Sequence, residues 1–523
     1  MQYVLAIAIL ITILTVIFFI KARKPVTQSL ETKLFKRPSK QVVLLIIDSL
    51  MDEPLQKAIK EGRVPAFEFF MKHGSYYPNV VSSYPTMSVT IDSTLLTGTY
   101  SDKHQVPALV WYDEKTKRFV SYGSAWKEVL KLGVKNVAKD TLYHLNHTHL
   151  SRKVKTIHEE LAMTGSQSSS INVLVYRGED KTMLHLPKLL SKLNIVPEKL
   201  HIETSLLFSY GRLAQYSPKN NQNNQLWKGV GFNDKFSAQE LVFLIENGKL
   251  PAFTIAYFPD LDKNVHKKGP VNHLGAIEKV DKQLQEILNA YESWDEALND
   301  VVWIVMGDSG QATVGNDKNK SFIDLRSILE SYRIHKITEP IQEDDQIVLG
   351  LNERMTFIYS LDEDLSLEDI VKHLKRDDRI GVIAWKNGTA AKVLAGGNKG
   401  LLTFEPNGTY KDRYDQSWSL VGELDVLDLT VENEQIDYGK YPDVLARLYS
   451  SLSSHPGRYI VVDAKPGYEF VGEGSPTHLG GASHGSIHKD DSLIPMIVTG
   501  TDLKPKHLRI VDMKSWILQI LKN

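Results

Sequence analysis

The chain has 523 residues, room for two or three domains or for one large α/β domain carrying an insertion. Lysine plus arginine (62) nearly balances aspartate plus glutamate (63), so no bulk field draws the protein toward nucleic acid. Cysteine is absent, which excludes disulfides, thiolate metal ligands and a cysteine nucleophile, and leaves histidine and carboxylates to hold any metal.

Residues 3–20 form an uncharged apolar run interrupted only by Thr12 and Thr15. At ~1.5 Å per residue it spans about 27 Å, close to the hydrocarbon thickness of a bilayer. No basic segment precedes it and no small-x-small site closes it, so it is predicted to be an uncleaved single-pass transmembrane anchor in the cell membrane rather than a signal peptide. Lys21, Arg23 and Lys24 follow, and the positive-inside rule would place the large domain in the cytoplasm; three charges beside one helix leave the side open. Residues 21–40, with Pro25, Ser29, Pro38 and Ser39, read as a linker.

The folded part is expected to start at Gln41. Short apolar runs of the buried parallel-strand type follow at 42–47, 171–175, 253–258, 301–306, 459–462 and 494–498. Helical periodicity separates many of them, as at 274–291. The alternation predicts an α/β fold, a central mostly parallel sheet with helices on both faces. The stretch 316–455 reads differently, with a helical piece at 367–375, alternating strand-like pieces, and hairpin signals at Asn387-Gly388 and Asn407-Gly408. It is expected to be an inserted α+β subdomain dividing a catalytic core into 41–315 and 456–523.

Three of the apolar runs end in polar clusters. The run 42–47 meets Asp48, 253–258 meets Asp260, Asp262 and His266, and 301–306 meets Asp308 and Ser309; a fourth cluster with His484 and His488 precedes 494–498. In open α/β sheets ligands bind beyond the carboxyl ends of the strands, so these residues are expected to share a crevice. A single aspartate closing a strand is more often a cap or turn residue, and it is the recurrence that carries weight. Between Pro85 and Leu96, Thr86 and Ser88 stand at the start of an apolar-periodic helix. A hydroxyl there meets the free N–H groups and the dipole that favour a phosphate. Serine and threonine are also the ordinary caps of any helix, so the stretch alone does not single out a nucleophile.

Together these pieces resemble the type I phosphodiesterase and nucleotide pyrophosphatase family of the alkaline phosphatase superfamily. The resemblance implies an alkaline-phosphatase-like fold and hydrolysis of phosphate esters, through a phosphoryl-serine intermediate, with two divalent metal ions. Asp48 matches the family's first aspartate. The YPTMS at 84–88 matches YPTxT, which puts the nucleophile at Ser88, with Thr86 as runner-up. The DKNVHKKGP at 262–270 matches DxxxHxxGP, so Asp262 and His266 would hold one metal with the late histidine, His484; Asp260 would be a neighbour. Asp308 matches the aspartate of an Asp-His pair and would join Asp48 and Ser88 at the second metal.

Two departures matter. Ser309 stands where the family has histidine, so the second site would consist of oxygens from Asp48, Asp308 and Ser88, with Ser309, Gln311 or water. That set suits manganese or magnesium better than the zinc expected at the first site. Leu109, Val110 and Trp111 stand where nucleotide-cleaving relatives carry an asparagine, so nucleotide specificity is not inherited. The alternatives are a phosphomonoesterase or phosphonate hydrolase of the same superfamily, and a membrane-anchored non-catalytic binding protein with a degraded second site. The absence of a CxPxR or SxPxR pattern argues against a sulfatase. The partners expected are a phosphate-ester substrate and the membrane, with no nucleic-acid-binding surface evident. His104, His273, His478 and His488 are expected to be surface or satisfied histidines, and Trp111 and Tyr112 are candidates for a pocket wall.

Overall fold

The structure, a computed structural model, describes residues 28–30, 38, 40–186, 191, 197, 199–299, 301–397 and 400–522. The run at 3–20 expected as an anchor lies outside the described residues; among those described, no helix is long and apolar enough to cross a membrane. Within the stretch expected as a linker, residues 28–30 make contacts with the folded part. The Gln28 backbone N–H donates to the Gln215 carbonyl at 2.8 Å and its side-chain amide to the Phe208 carbonyl at 2.9 Å, while Leu30 packs against the core. Pairing with an irregular segment satisfies backbone groups that composition alone assigned to water.

Seven strands form the first sheet, in the order Gly74–Val81, Leu493–Thr499, Val301–Gly307, Gln41–Ile47, Phe253–Phe258, Ser168–Ile171, Leu207–Ser209. The last five run parallel, as the apolar runs predicted. Leu493–Thr499 instead runs antiparallel to Val301–Gly307. The predicted run at 171–175 begins where its strand ends, because the buried strand is made of Ser168, Ser169 and Ser170 and the chain turns away at Asn172, with φ 56°.

Nine strands form a second sheet, largely antiparallel, running from the hairpin Ile347–Asn352/Met355–Ser360 to Leu429–Glu432. Tyr459–Ala464 lies inside it, between Met355–Ser360 and Ile380–Asn387, so the insert reaches past the expected boundary at 455. A strand buried on both faces is apolar throughout whichever sheet it joins, so its composition names neither direction nor partner. Asn387-Gly388 makes the expected hairpin, with Asn387 opposite Ala390. Asn407-Gly408 does not: Asn407 takes φ 68° within Leu402–Asp412, where the register against Ser417–Gly422 slips between Pro406 and Tyr410. Residues with positive φ serve bulges as readily as turns.

Helices cover both faces of the first sheet. On one, Val43, Leu45 and Trp303 pack against Phe67, Leu241 and Leu284 of the helices Pro65–Lys72, Asp234–Glu246 and Leu274–Leu288. On the other, Leu44, Ile255 and Ile304 share a core with the helices Ser88–Thr97 and Ile510–Lys522 and with Phe357, Val382 and Val461 of the second sheet. The two sheets therefore share apolar packing, each fully buried side chain contributing about 1.5–3 kcal/mol. Trp111 and Tyr112 belong to that shared core rather than to a pocket wall, with Trp111 edge-on to His149 and His455.

Candidate active site

Strand register builds the site. Ile47 lies opposite both Gly307 and Phe258 on its flanking parallel strands, so Asp48 and Asp308 emerge side by side, and the chain after Phe258 enters the helix Asp260–Lys268. Asp262 and His266 are one helical turn apart and share a face. The short strand Ala482–Ser483 delivers His484 from the far end of the sequence.

Asp262 Oδ1 lies 3.1 Å from His266 Nε2 and 3.9 Å from His484 Nε2, and these three form a potential metal-ligand group. The other ring nitrogens are committed: His266 Nδ1 is 2.8 Å from the Ala482 carbonyl and His484 Nδ1 is 2.6 Å from the Thr86 carbonyl. That leaves both Nε2 atoms for an ion, the arrangement in which a second partner orients a ligand imidazole. Thr86 is fully buried, and its hydroxyl accepts the Gly485 N–H at 2.7 Å, so it serves the His484 loop.

Ser88 opens its helix after an extended Met87 that supplies no side-chain cap, and it is partly exposed. The first N–H groups of the helix are thus free for an anion. The Tyr257 hydroxyl donates to Asp308 Oδ2 at 3.0 Å and lies 3.2 Å from Ser88 Oγ. Ser49, with φ 62°, donates its N–H to Asp308 Oδ1 at 3.0 Å and its hydroxyl to Asp262 Oδ1 at 3.0 Å. The Gln311 amide donates to Asp262 Oδ1 at 2.7 Å and to Ser49 Oγ at 2.9 Å. Ser309 enters only through its backbone N–H, 2.6 Å from Asp308 Oδ1. Asp260 turns away into a reciprocal pair with Asp234, each accepting the other's backbone N–H.

Among the described ion pairs, none joins a lysine or arginine to Asp48, Asp262 or Asp308. Burial, then Asp308 and Asp262, push the Asp48 carboxyl well up, and burial raises Asp308. Burial works against Asp262 as well, yet His266 and His484 hold it below the ordinary carboxylate range, while Asp262 and Glu353 bring the buried His266 up to about 10. Gln311 Oε1 is buried without a hydrogen-bond partner. Crowded carboxylates, an orphan acceptor and two imidazoles with free Nε2 atoms fit divalent cations.

Asp92, one turn beyond Ser88, is buried and raised to about 8 by burial and by Asp308. A carboxyl that binds its proton more tightly when folded adds stability in acid, and that contribution is lost as pH rises from about 4 through 8. The metal-stripped protein is therefore expected to unfold more readily at pH 8 than at pH 5. Asp92→Asn should flatten the difference in denaturant titrations; a slope unchanged by the substitution would show that Asp92 is not its source.

Glu353 and His478 carried no signal of their own. Glu353 sits at φ 58° in the turn of the second sheet's hairpin, and its Oε2 accepts from Ser483 Oγ at 2.7 Å and from the His484 N–H at 3.3 Å. His478 stacks on His266 at 4.1 Å, and with Glu353 the two form a second potential ligand group. Nearly parallel stacked rings cannot both aim in-plane lone pairs at one ion, so His478 supports His266 by stacking, while Glu353 holds Ser483 and His484. Burial opposes ionisation of Glu353, yet His484, His478 and His266 bring it down to about 2. Glu353→Gln is expected to weaken metal binding by roughly 10–100-fold with the fold retained. Chelator competition measures this, and an unchanged affinity would reject the supporting role. His488 caps the turn Lys489–Ser492, His104 Nε2 is 3.1 Å from Thr94 Oγ1 of the preceding helix, and His273 bonds the nearby Gly269 carbonyl.

A profile of the family described as type I phosphodiesterase / nucleotide pyrophosphatase matches residues 42–395. The chain belongs to that family. It is accordingly an enzyme that hydrolyses phosphoesters with divalent metals. No curated protein sequence matches it. Human ectonucleotide pyrophosphatase / phosphodiesterase 5 aligns with a TM-score of 0.55 at 12% identity, over 92% of this chain and 95% of its own. An inactive variant of the murine protein, in complex with AMP, aligns at 0.54 and 14%, over 92% and 95%. Phosphonoacetate hydrolase from Sinorhizobium meliloti 1021, in complex with phosphonoformate, aligns at 0.54 and 13%, over 95% and 100%. At such identities these structures share the fold alone.

Proposed function

We propose that this hydrolase cleaves phosphodiesters with Ser88 as nucleophile, holding zinc on Asp262, His266 and His484 and manganese or magnesium on oxygens of Asp48, Asp308 and Ser88. The observation that carries the reading is Ser88 Oγ at an uncapped helix start, 3.2 Å from the tyrosine hydroxyl that bonds Asp308. The absence of an imidazole at Ser309 supports the oxygen-only second set. Ser88 is partly exposed to solvent.

When bound, the cations would lower the pKa of the serine hydroxyl and stabilise the leaving oxygen. The Tyr257 hydroxyl, within reach of both Asp308 Oδ2 and Ser88 Oγ as a donor, positions the Ser88 oxygen beside Asp308. Ser88 Oγ forms the bond to phosphorus as the bond to the leaving oxygen breaks; the serine proton leaves to water and the leaving oxygen takes one back. The helix N–H groups meet charge on the equatorial oxygens. Water then cleaves the phosphoryl-serine and restores the hydroxyl. The uncharged apolar length of residues 3–20 supports a membrane anchor for this enzyme.

Metal-stripped protein reloaded with zinc, manganese or magnesium is expected to regain hydrolysis of bis-p-nitrophenyl phosphate, and to prefer it to p-nitrophenyl phosphate. Stoichiometric metal binding with no turnover under any of the three ions would overturn the reading, and preference for the monoester would move the enzyme to another branch of its superfamily.

A further inference from the structure

The helices Trp126–Leu132 and Val134–Lys139, joined at Gly133 (φ 88°), present a surface that the hydrolytic site does not use. Trp126 is 69% exposed and Leu130, one turn on, 60%, and Val134, which opens the second helix, is 40% exposed. Lys127, Lys131, Lys135 and Lys139 recur every four residues and are all exposed. The one acidic residue of the segment, Glu128, is buried and accepts from Ser121 Oγ at 3.1 Å and Ser124 Oγ at 2.6 Å. The outward charge of residues 126–139 is therefore wholly positive.

Isolated exposed apolar side chains are ordinary. A tryptophan, a leucine and a valine in a row beside four lysines have a narrower use. The rings and branched chains suit the boundary between headgroups and acyl chains, and lysine stems reach along apolar surface to put ammonium groups among anionic headgroups. Lys127 Nζ lies 5.9 Å from the Trp126 ring centre, so cation and ring are adjacent.

The placement of the N-terminal segment favours a bilayer over an acidic protein as the occupant. Gln28, where the described chain begins, donates to the Phe208 carbonyl. The Phe208 ring is 4.9 Å from that of Tyr176, and the Tyr176 hydroxyl donates to the Leu142 carbonyl at 2.6 Å. Leu142 belongs to the segment Asp140–His149, which continues directly from Val134–Lys139. A few side-chain contacts thus connect the point where residues 1–27 join the fold to the basic, apolar row. We propose that this row rests on an anionic lipid bilayer. The inference leans on the anchor reading of residues 3–20 for proximity, and not on the chemistry assigned to Ser88.

The absence of cysteine allows a single environment-sensitive fluorophore at Leu130→Cys, with Val421→Cys, at a position 70% exposed on the second sheet, as the reference. The full-length chain is placed in nanodiscs of phosphatidylcholine, alone or mixed with phosphatidylglycerol. In the anionic discs the label at 130 is expected to shift to the blue and to be quenched by nitroxide lipid, with little change at 421. The shift should shrink in phosphatidylcholine alone. At about fivefold per lysine, replacing Lys127, Lys131 and Lys135 together with glutamine should lower the ratio of docked to free protein roughly 100-fold, with phosphodiester turnover unchanged. Co-migration of chain and disc reports the anchor separately; a chain that does not incorporate is read with anionic vesicles added, where the same shift supports docking without an anchor. An aqueous emission at 130 in the presence of either anionic membrane overturns the proposal. So does equal quenching at 130 and 421, or a lipid-free shift that grows with protein concentration and marks a second copy as the occupant.

Discussion

Ser88→Ala is expected to lower phosphodiester turnover by about a thousandfold or more, because of Thr86 and Ser88 only Ser88 is partly exposed at the helix start. Metal at Asp262, His266 and His484 should be retained, since those ligands come from other segments. Thr86→Val provides the comparison. Its hydroxyl is fully buried against the Gly485 N–H, so the substitution strands a buried donor and costs about 1–3 kcal/mol of stability while leaving the nucleophile in place. Turnover lost with Ser88→Ala but kept in folded Thr86→Val assigns the step to Ser88; the reverse pattern assigns it to Thr86.

Arg354→Met is expected to cost about 3–5 kcal/mol of folding stability. Arg354 and Asp491 are both fully buried; the guanidinium donates to Asp491 Oδ1 and, at 3.1 Å, to the Ala464 carbonyl. Burial raises the Asp491 carboxyl to about 6 even with Arg354 opposing. Without the arginine an unpaired carboxyl remains inside, so the loss should deepen as pH rises and Asp491 is forced to ionise. Arg354 also holds the active-site loop, its backbone N–H donating to the His484 carbonyl at 3.0 Å. The next residue, Gly485, takes φ +110°, and a Cβ there would come within 2.6 Å of the Asn352 carbonyl. Pairing Arg354→Met with Asp491→Leu should restore part of the loss, because the double variant leaves no orphan charge. Denaturant titration measures each term, and a loss under about 1 kcal/mol would show that water reaches the pair.

The parts of the site legible in the sequence were those governed by short range. Asp48 and Asp308 follow apolar strands directly, and Asp262 and His266 are spaced for one helix face, so local periodicity places each of them. The supporting residues had no such mark. Ser49 and Tyr257 look like a turn serine and a core aromatic, and their hydroxyls matter only because three parallel strands bring them to Asp262 and Asp308. Glu353 lies in a hairpin whose turn could face anything until the second sheet is docked.

The sequence by itself determined the α/β alternation, the carboxylates and imidazoles beyond the strand ends and the hydroxyls at the helix start, because those depend on residue chemistry and on contacts within a turn or a strand. Only the tertiary structure decided that Tyr459–Ala464 joins the second sheet, that Leu493–Thr499 runs antiparallel, that Glu353 and Arg354 bond the His484 segment and that His478 stacks on His266. Those outcomes turn on pairing between segments far apart in the chain, and a buried strand or a turn carboxylate carries no record of its distant partner in its own composition.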